Sequence, residues 1–230
     1  MSRTVLVTGG TGGLGAAVTS AFLDAGWHVV VPWIVEAELG RVPEHPNLEL
    51  VRADLFDADS ARECVDRAAA GPDPLRAVVN LVGGFAMGGR VHETPVEDFE
   101  RQLRLNLRPT YLTCHAAIPH LIDADGGAIV CMSSRAALRP FAGGAGYVTA
   151  KAAVLALVDA LDTEYGRDGI RVNAVLPGTI DTPANRASMP DADRADWVAP
   201  ARIAEVIRYL CEDGSATISG ARVPVHRSPK

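Results

Sequence analysis

Seven short runs of apolar and β-branched residues recur along this chain, and most are separated by longer segments whose apolar positions fall at helical spacing. Residues 4–8, 28–33, 48–52, 77–81, 128–133, 171–176 and 221–225 are predicted as strands, and 13–25, 58–70, 95–123, 144–166 and 199–212 as helices. Strands that are apolar throughout leave no face for water. Their alternation with helices therefore predicts βαβ units and a parallel sheet covered on both sides, a doubly wound α/β (Rossmann) fold. Gly26 closes the first helix, Gly126 and Gly127 end the long 95–123 pattern, and Gly166 and Gly169 bracket the exit from the next. Pro109 predicts a kink just after Asn106. No repeat or linker divides the chain, so residues 1–230 read as one domain. Its loosest segment is 183–200, rich in turn formers and charges.

Chemistry enters where the first predicted strand runs into GGTGGLGAAV, which places Gly9, Gly13 and Gly15 at T-G-x-x-x-G-x-G spacing at the start of a helix. Glycine allows the turn to tighten and backbone N–H groups to approach a pyrophosphate, whose charge then faces the positive end of the helix. Alone, the segment also reads as a plain strand-to-helix turn. Farther along, Tyr147 and Lys151 are four residues apart and share a helix face, with Ser134 thirteen residues upstream. A phenol with a pKa of about 10 is a poor acid or base at neutral pH, but a neighbouring ammonium stabilises the phenolate. Ser134, or its neighbour Ser133, supplies a hydroxyl for the oxygen on which charge develops. This set suits a carbonyl/alcohol pair.

In this order along the chain, these elements resemble the short-chain dehydrogenase/reductase family. Thr8 to Gly15 matches its nucleotide turn, Asp54 its adenine-side acid, and Asn80-Leu-Val-Gly83 a variant of its Asn-Asn-Ala-Gly segment. Asn106, Ser134, Tyr147, Lys151 and Pro177-Gly-Thr-Ile-Asp-Thr182 complete the series. The resemblance implies a nicotinamide dinucleotide held by Gly9, Thr11, Gly12, Gly13, Leu14 and Gly15 in the turn. Trp33, Asp54, Leu55, Asn80, Val82 and Gly83 follow at successive strand ends, and Tyr147, Lys151, Pro177, Gly178, Ile180 and Thr182 close the site. It implies that Tyr147 exchanges a proton with the substrate oxygen while hydride passes to or from the nicotinamide, and that Lys151 also bonds the nicotinamide ribose. Asn106 would hold a water behind the lysine, or simply cap the kink. Segment 183–200 would be a mobile lid, and the protein a homodimer or homotetramer.

Two departures bear on the cofactor. The acid that ends the second strand in NAD-binding members is replaced by Trp33, and Gly12 and Ile34 stand where NADP-binding members carry basic residues. A 2′-phosphate brings nearly two negative charges and needs a cation, so NAD(H) is expected over NADP(H), weakly held for want of the carboxylate. Arg41 and Arg52 could approach such a phosphate, though no spacing fixes them there.

Composition narrows the partners. A net charge of −6 without a Lys/Arg run gives no phosphate-binding patch, so nucleic acid is not expected. Segment 4–23 is too rich in glycine and threonine for a signal peptide or membrane span, leaving the cytoplasm as the expected compartment and no membrane partner. The four cysteines form no C-x-x-C pair and read as buried thiols. No metal site is expected: His115 and His120 are five apart, and DLFDAD lacks a calcium loop. Phe85, Met87, Arg135, Phe141 and Trp197 are candidates for the substrate pocket. The expected function is NAD(P)-dependent oxidoreduction of a small carbonyl or secondary alcohol. The alternative is a nucleotide-sensing or scaffold protein that keeps the fold without turnover.

Overall fold

The computed structural model describes residues 3–226. Seven parallel strands form one sheet: β1 (Thr4–Thr8), β2 (His28–Trp33), β3 (Leu48–Arg52), β4 (Leu75–Asn80), β5 (Gly127–Met132), β6 (Ile170–Pro177) and β7 (Arg222–Val225), in the order β3-β2-β1-β4-β5-β6-β7. The chain winds outward in one direction from β1 to β3, then returns to place β4 on the other side of β1. The gap between β1 and β4 is therefore a topological switch point, where strand C-termini open toward a ligand.

Side-chain alternation explains why both faces are covered. Val5, Val7, Val29, Val31, Val79 and Val130 point to one side, where α1 (Gly15–Asp24) and α7 (Pro200–Cys211) pack. Leu6, Val30, Val78, Ile129, Val172 and Leu176 point to the other, under α2 (Ala58–Ala69), α4 (Arg108–Asp123) and α5 (Ala145–Tyr165). Each fully buried Val or Leu contributes roughly 1.5–3 kcal/mol, so the central strands are fixed by burial on both sides.

The predicted 95–123 helix is two helices, α3 (Val96–Asn106) and α4, broken at Leu107 (φ −113°, ψ −46°). Pro109 lies in the first turn of α4, where no N–H is required, so the proline starts a helix instead of bending one. β4 begins at Leu75, two residues earlier than the apolar run suggests, because Leu75 pairs with Thr4 at the start of β1. The pattern gives no element between β2 and β3, yet Glu36–Arg41 forms a 3₁₀ segment there. Within the loose 183–200 segment, Pro183–Ser188 is a short helix α6, capped by the Thr182 hydroxyl. Val198 pairs with Ile180 to close the base of that loop.

Candidate active site

The glycine turn is built by close packing. Gly9 has φ +68°, and a Cβ on Gly15 would lie 1.9 Å from the Gly9 carbonyl oxygen, so only glycine at residue 15 lets α1 start directly over the turn. The start of α1 carries neither a side-chain cap nor an acid in its first turn. Its positive end is thus left for an external anion. Thr182 packs against the turn from the far side, its Cγ2 3.1 Å from where a Gly13 Cβ would be. The turn and the 177–182 loop therefore line one cleft. Ile180 packs into the core at its edge, and Gly178 is tied to Val225 by a 3.0 Å backbone bond.

Beyond β5, Ser134 and the first turns of α5 face each other. The Ser134 hydroxyl accepts from the Ala136 N–H at 3.1 Å and also engages the Tyr147 phenol. Burial raises the Tyr147 pKa above its ordinary value, and the bond from Ser134 pulls it back. Ser133 acts on the backbone: its Oγ donates 2.8 Å to the Lys151 carbonyl, fixing α5 to the end of β5.

Lys151 is only 4% exposed. Its Nζ donates to the Met132 carbonyl at 3.1 Å and lies 5.9 Å from the centre of the Tyr147 ring. Burial lowers its pKa to about 8, with the Cys131 thiol opposing that shift. Above it, Gly83 leaves no room for a side chain, since a Cβ would come 2.6 Å from Asn106 Oδ1 and 3.0 Å from Lys151 Nζ. Asn106 clamps this strip: its Nδ2 donates to the carbonyls of Gly84 (3.0 Å) and Gln102 (3.1 Å), and its Oδ1 accepts from the Gly84 N–H (3.1 Å). The buried Gln102 amide joins the cluster at 3.3 Å, a partner of which the sequence carries no sign.

Several expected contact residues are placed differently. Asn80 turns into the core, where its amide faces the thiols of Cys114 (3.4 Å) and Cys131 (3.8 Å), and Leu55 is also a core side chain. Both can reach a ligand only through their backbones. Val82 is half-buried against the same core. Asp54 is exposed, and its Oδ1 accepts from the Phe56 N–H at 2.9 Å in a local turn. Trp33 is half-buried at the end of β2. A carboxylate does lie near that strand end on Glu38, whose Oε2 accepts from the Thr11 hydroxyl at 2.9 Å while Oε1 pairs with Arg41 at 3.0 Å.

Phe85 stands edge-on to Tyr147 (centroids 5.0 Å apart) and 6.1 Å from Phe141, so an aromatic wall borders the phenol. Met87 reaches the same loop, its methyl 3.3 Å from where a Gly143 Cβ would lie. Trp197 packs under Arg194 instead. Arg135 is exposed beside Ser134. A cavity of about 290 Å³ is lined by Met87, Phe99, Gln102, Gly143 and Gly146, but neither Ser134 nor Tyr147 lines it. The histidines do not converge: His120 pairs with Asp66 at 2.7 Å and His115 stacks on Tyr111. The four cysteines are buried free thiols. No described helix is long and apolar enough to cross a membrane.

A family model for short chain dehydrogenases matches residues 3–193. The 2-(R)-hydroxypropyl-CoM dehydrogenase of Xanthobacter autotrophicus is 30% identical over 239 residues, covering 96% of this chain and 96% of that protein. A short-chain type dehydrogenase/reductase from Mycobacterium ulcerans superposes with a TM-score of 0.91 at 27% identity, covering 97% of this chain and 88% of the other. ElxO, solved with NADP bound, gives 0.90 at 25% identity, covering 98% of this chain and 97% of the other.

Proposed function

The chain belongs to the short-chain dehydrogenase/reductase family and is an NAD(P)-dependent oxidoreductase of carbonyl/alcohol pairs, and on that footing we propose that Ser134, Tyr147 and Lys151 carry its chemistry, with Asn106 holding them in place. The observation that carries this reading is the buried Lys151 ammonium, held on the Met132 carbonyl at 3.1 Å and 5.9 Å from the centre of the Tyr147 ring, with Ser134 next to the same phenol. The residues present fit a dinucleotide. An uncapped helix start faces a turn in which a Cβ at Gly12 would meet only the Gly9 oxygen at 3.2 Å, and Gly83 clears the space over Lys151. The turn from Gly9 to Gly15 would hold the pyrophosphate, the backbones around Asp54, Leu55, Asn80 and Val82 the adenosine side, and Tyr147, Lys151 and the 177–182 loop the nicotinamide side. Bound there, the nicotinamide supplies or accepts the hydride.

The chain's own part is proton handling. Ser134 accepts from the Ala136 N–H, and its own hydrogen, which faces the Tyr147 oxygen in this structure, would turn to a substrate carbonyl oxygen once one is bound. Tyr147 Oη gives its proton to that oxygen during reduction and takes one back during oxidation. Lys151, with its pKa lowered to about 8, is poised to pass a proton near neutral pH, and its charge opposes a tyrosine that stays neutral. Asn106 fixes the Gly83–Gly84 strip above the ammonium, and an Oδ1 lone pair remains for a water.

The aromatic wall of Phe85 and Phe141, 60% and 40% exposed, favours a small molecule with an apolar or cyclic body next to its carbonyl. Segment 183–200, tied at its base by the Ile180–Val198 bridge, would cover it. Ile34, 59% exposed, and Gly12 offer a 2′-phosphate no cation, which favours NAD(H). Exposed Tyr111 on α4 gives an apolar surface for a homodimer or homotetramer in the cytoplasm, which light scattering checks against a 24.2 kDa monomer. The functional test is a panel of ketones and secondary alcohols, followed at the reduced-nicotinamide absorbance band. Turnover of an apolar cyclic member supports the proposal, and a panel without any turnover contradicts it.

A further inference from the structure

A carboxylate bonded to the dinucleotide turn itself calls for an explanation. Glu38 projects from the 3₁₀ segment after β2 and accepts from the hydroxyl of Thr11, a buried residue in the middle of the glycine turn. The contact joins residues 27 apart in sequence, and Arg41 holds the second oxygen from the outside. Glu38 is thereby fixed on the β2 side of the turn. β4, β5 and the Ser134/Tyr147/Lys151 group lie on the other side of β1, and the reactive nicotinamide must point that way. The opposite half of a dinucleotide, its adenosine, then falls on the Glu38 side.

On the reading that this chain binds a nicotinamide dinucleotide, we propose that Glu38 replaces the absent strand-end acid: its carboxylate accepts the hydroxyls of the adenosine ribose and selects NAD(H) over NADP(H). Each carboxylate oxygen has two lone pairs, so the bonds to Thr11 and Arg41 leave acceptor positions open, and the side chain is 31% exposed. A ribose diol meets those positions as a donor. A 2′-phosphate meets them as a second anion, and it offers no donor to replace the lost hydroxyl. Thr11 gives the arrangement its rigidity, because a carboxylate tethered to the turn loses little freedom when the ribose arrives. Arg41 acts as a buttress for Glu38.

Titrations of nucleotide-free protein with NADH and with NADPH, read by nucleotide fluorescence, test this without any turnover. The native protein is expected to bind NADH about tenfold more tightly than NADPH. Glu38→Gln keeps the shape and removes the charge, and Glu38→Ala removes the side chain from a position 31% exposed, with thermal melts to check that each variant is folded. Both should weaken NADH about tenfold while leaving NADPH unchanged or tighter, and Arg41→Ala should keep the preference for NADH. Unchanged NADH affinity in both Glu38 variants, or loss of NADPH binding in Arg41→Ala alone, overturns the assignment to Glu38 and leaves the dinucleotide reading standing. Failure of the native protein to bind either nucleotide overturns both.

Discussion

Replacing Lys151 by Met should destroy activity and yet make the nucleotide-free protein more stable. The ammonium is nearly fully buried, with one carbonyl as hydrogen-bond partner and no carboxylate paired with it among the described residues, and burial moves its pKa from 10.5 to about 8. Linkage converts that difference into about 3 kcal/mol of lost stability at any pH below 8, where the lysine is charged in both states. Methionine fills a similar volume without charge, but leaves the Met132 carbonyl without its donor, at a cost of about 1 kcal/mol. The variant should therefore be about 2 kcal/mol more stable at neutral pH. The sign of the pH dependence follows from proton counts: between pH 8 and 10.5 the unfolded chain holds the lysine proton and the folded chain has released it, so native stability rises with pH relative to the variant. By about pH 9.5 the gap should have closed. Ionisable groups remote from Lys151 cancel in the difference. Urea unfolding of the pair at neutral pH and near pH 9.5 measures it. A variant less stable than the native protein at neutral pH, with a gap that pH does not change, would refute the idea that a functional charge is buried here at a cost to the fold.

Gly83→Ala should destabilise by about 1–3 kcal/mol, because its Cβ would enter within 2.6 Å of an Asn106 oxygen already held by the Gly84 N–H. Thermal melts read this as a fall of a few degrees per kcal/mol, and turnover should drop as well, since Lys151 must shift. Combining Gly12→Arg with Ile34→Arg should raise NADPH affinity about tenfold in nucleotide titrations by supplying the missing cations. Trp33→Asp should add little NADH affinity if Glu38 already serves the ribose, which the same titrations check.

The features legible in the sequence are local ones. The glycine spacing around Gly9, Gly13 and Gly15 and the four-residue step from Tyr147 to Lys151 are set by turn and helix geometry, so the chain alone places them. Elements whose limits depend on distant partners are not legible in this way. Leu75 joins β4 only because Thr4 lies opposite it, and the break at Leu107 reflects helices α3 and α4 packing on different neighbours. Glu38 is hidden from the family pattern, which inspects one position at the end of β2, while the Thr11 contact is made by a side chain five residues later, after the chain has folded back. Asn80 sits at its motif position, yet its amide faces two thiols whose closeness the sequence does not record. The depth of Lys151 beneath Gly83 likewise comes from the meeting of three separate segments.

Whether Tyr147 is the proton donor and acceptor of an NAD(P)-dependent carbonyl/alcohol reaction is tested most directly by Tyr147→Phe. The change removes one oxygen from a half-buried ring that Phe85 continues to pack against. With a substrate found in the panel, the variant should bind NADH within about twofold of the native protein while turnover falls by at least about 100-fold, the share a positioned general acid supplies. Near-native turnover with intact nucleotide binding would contradict the mechanism.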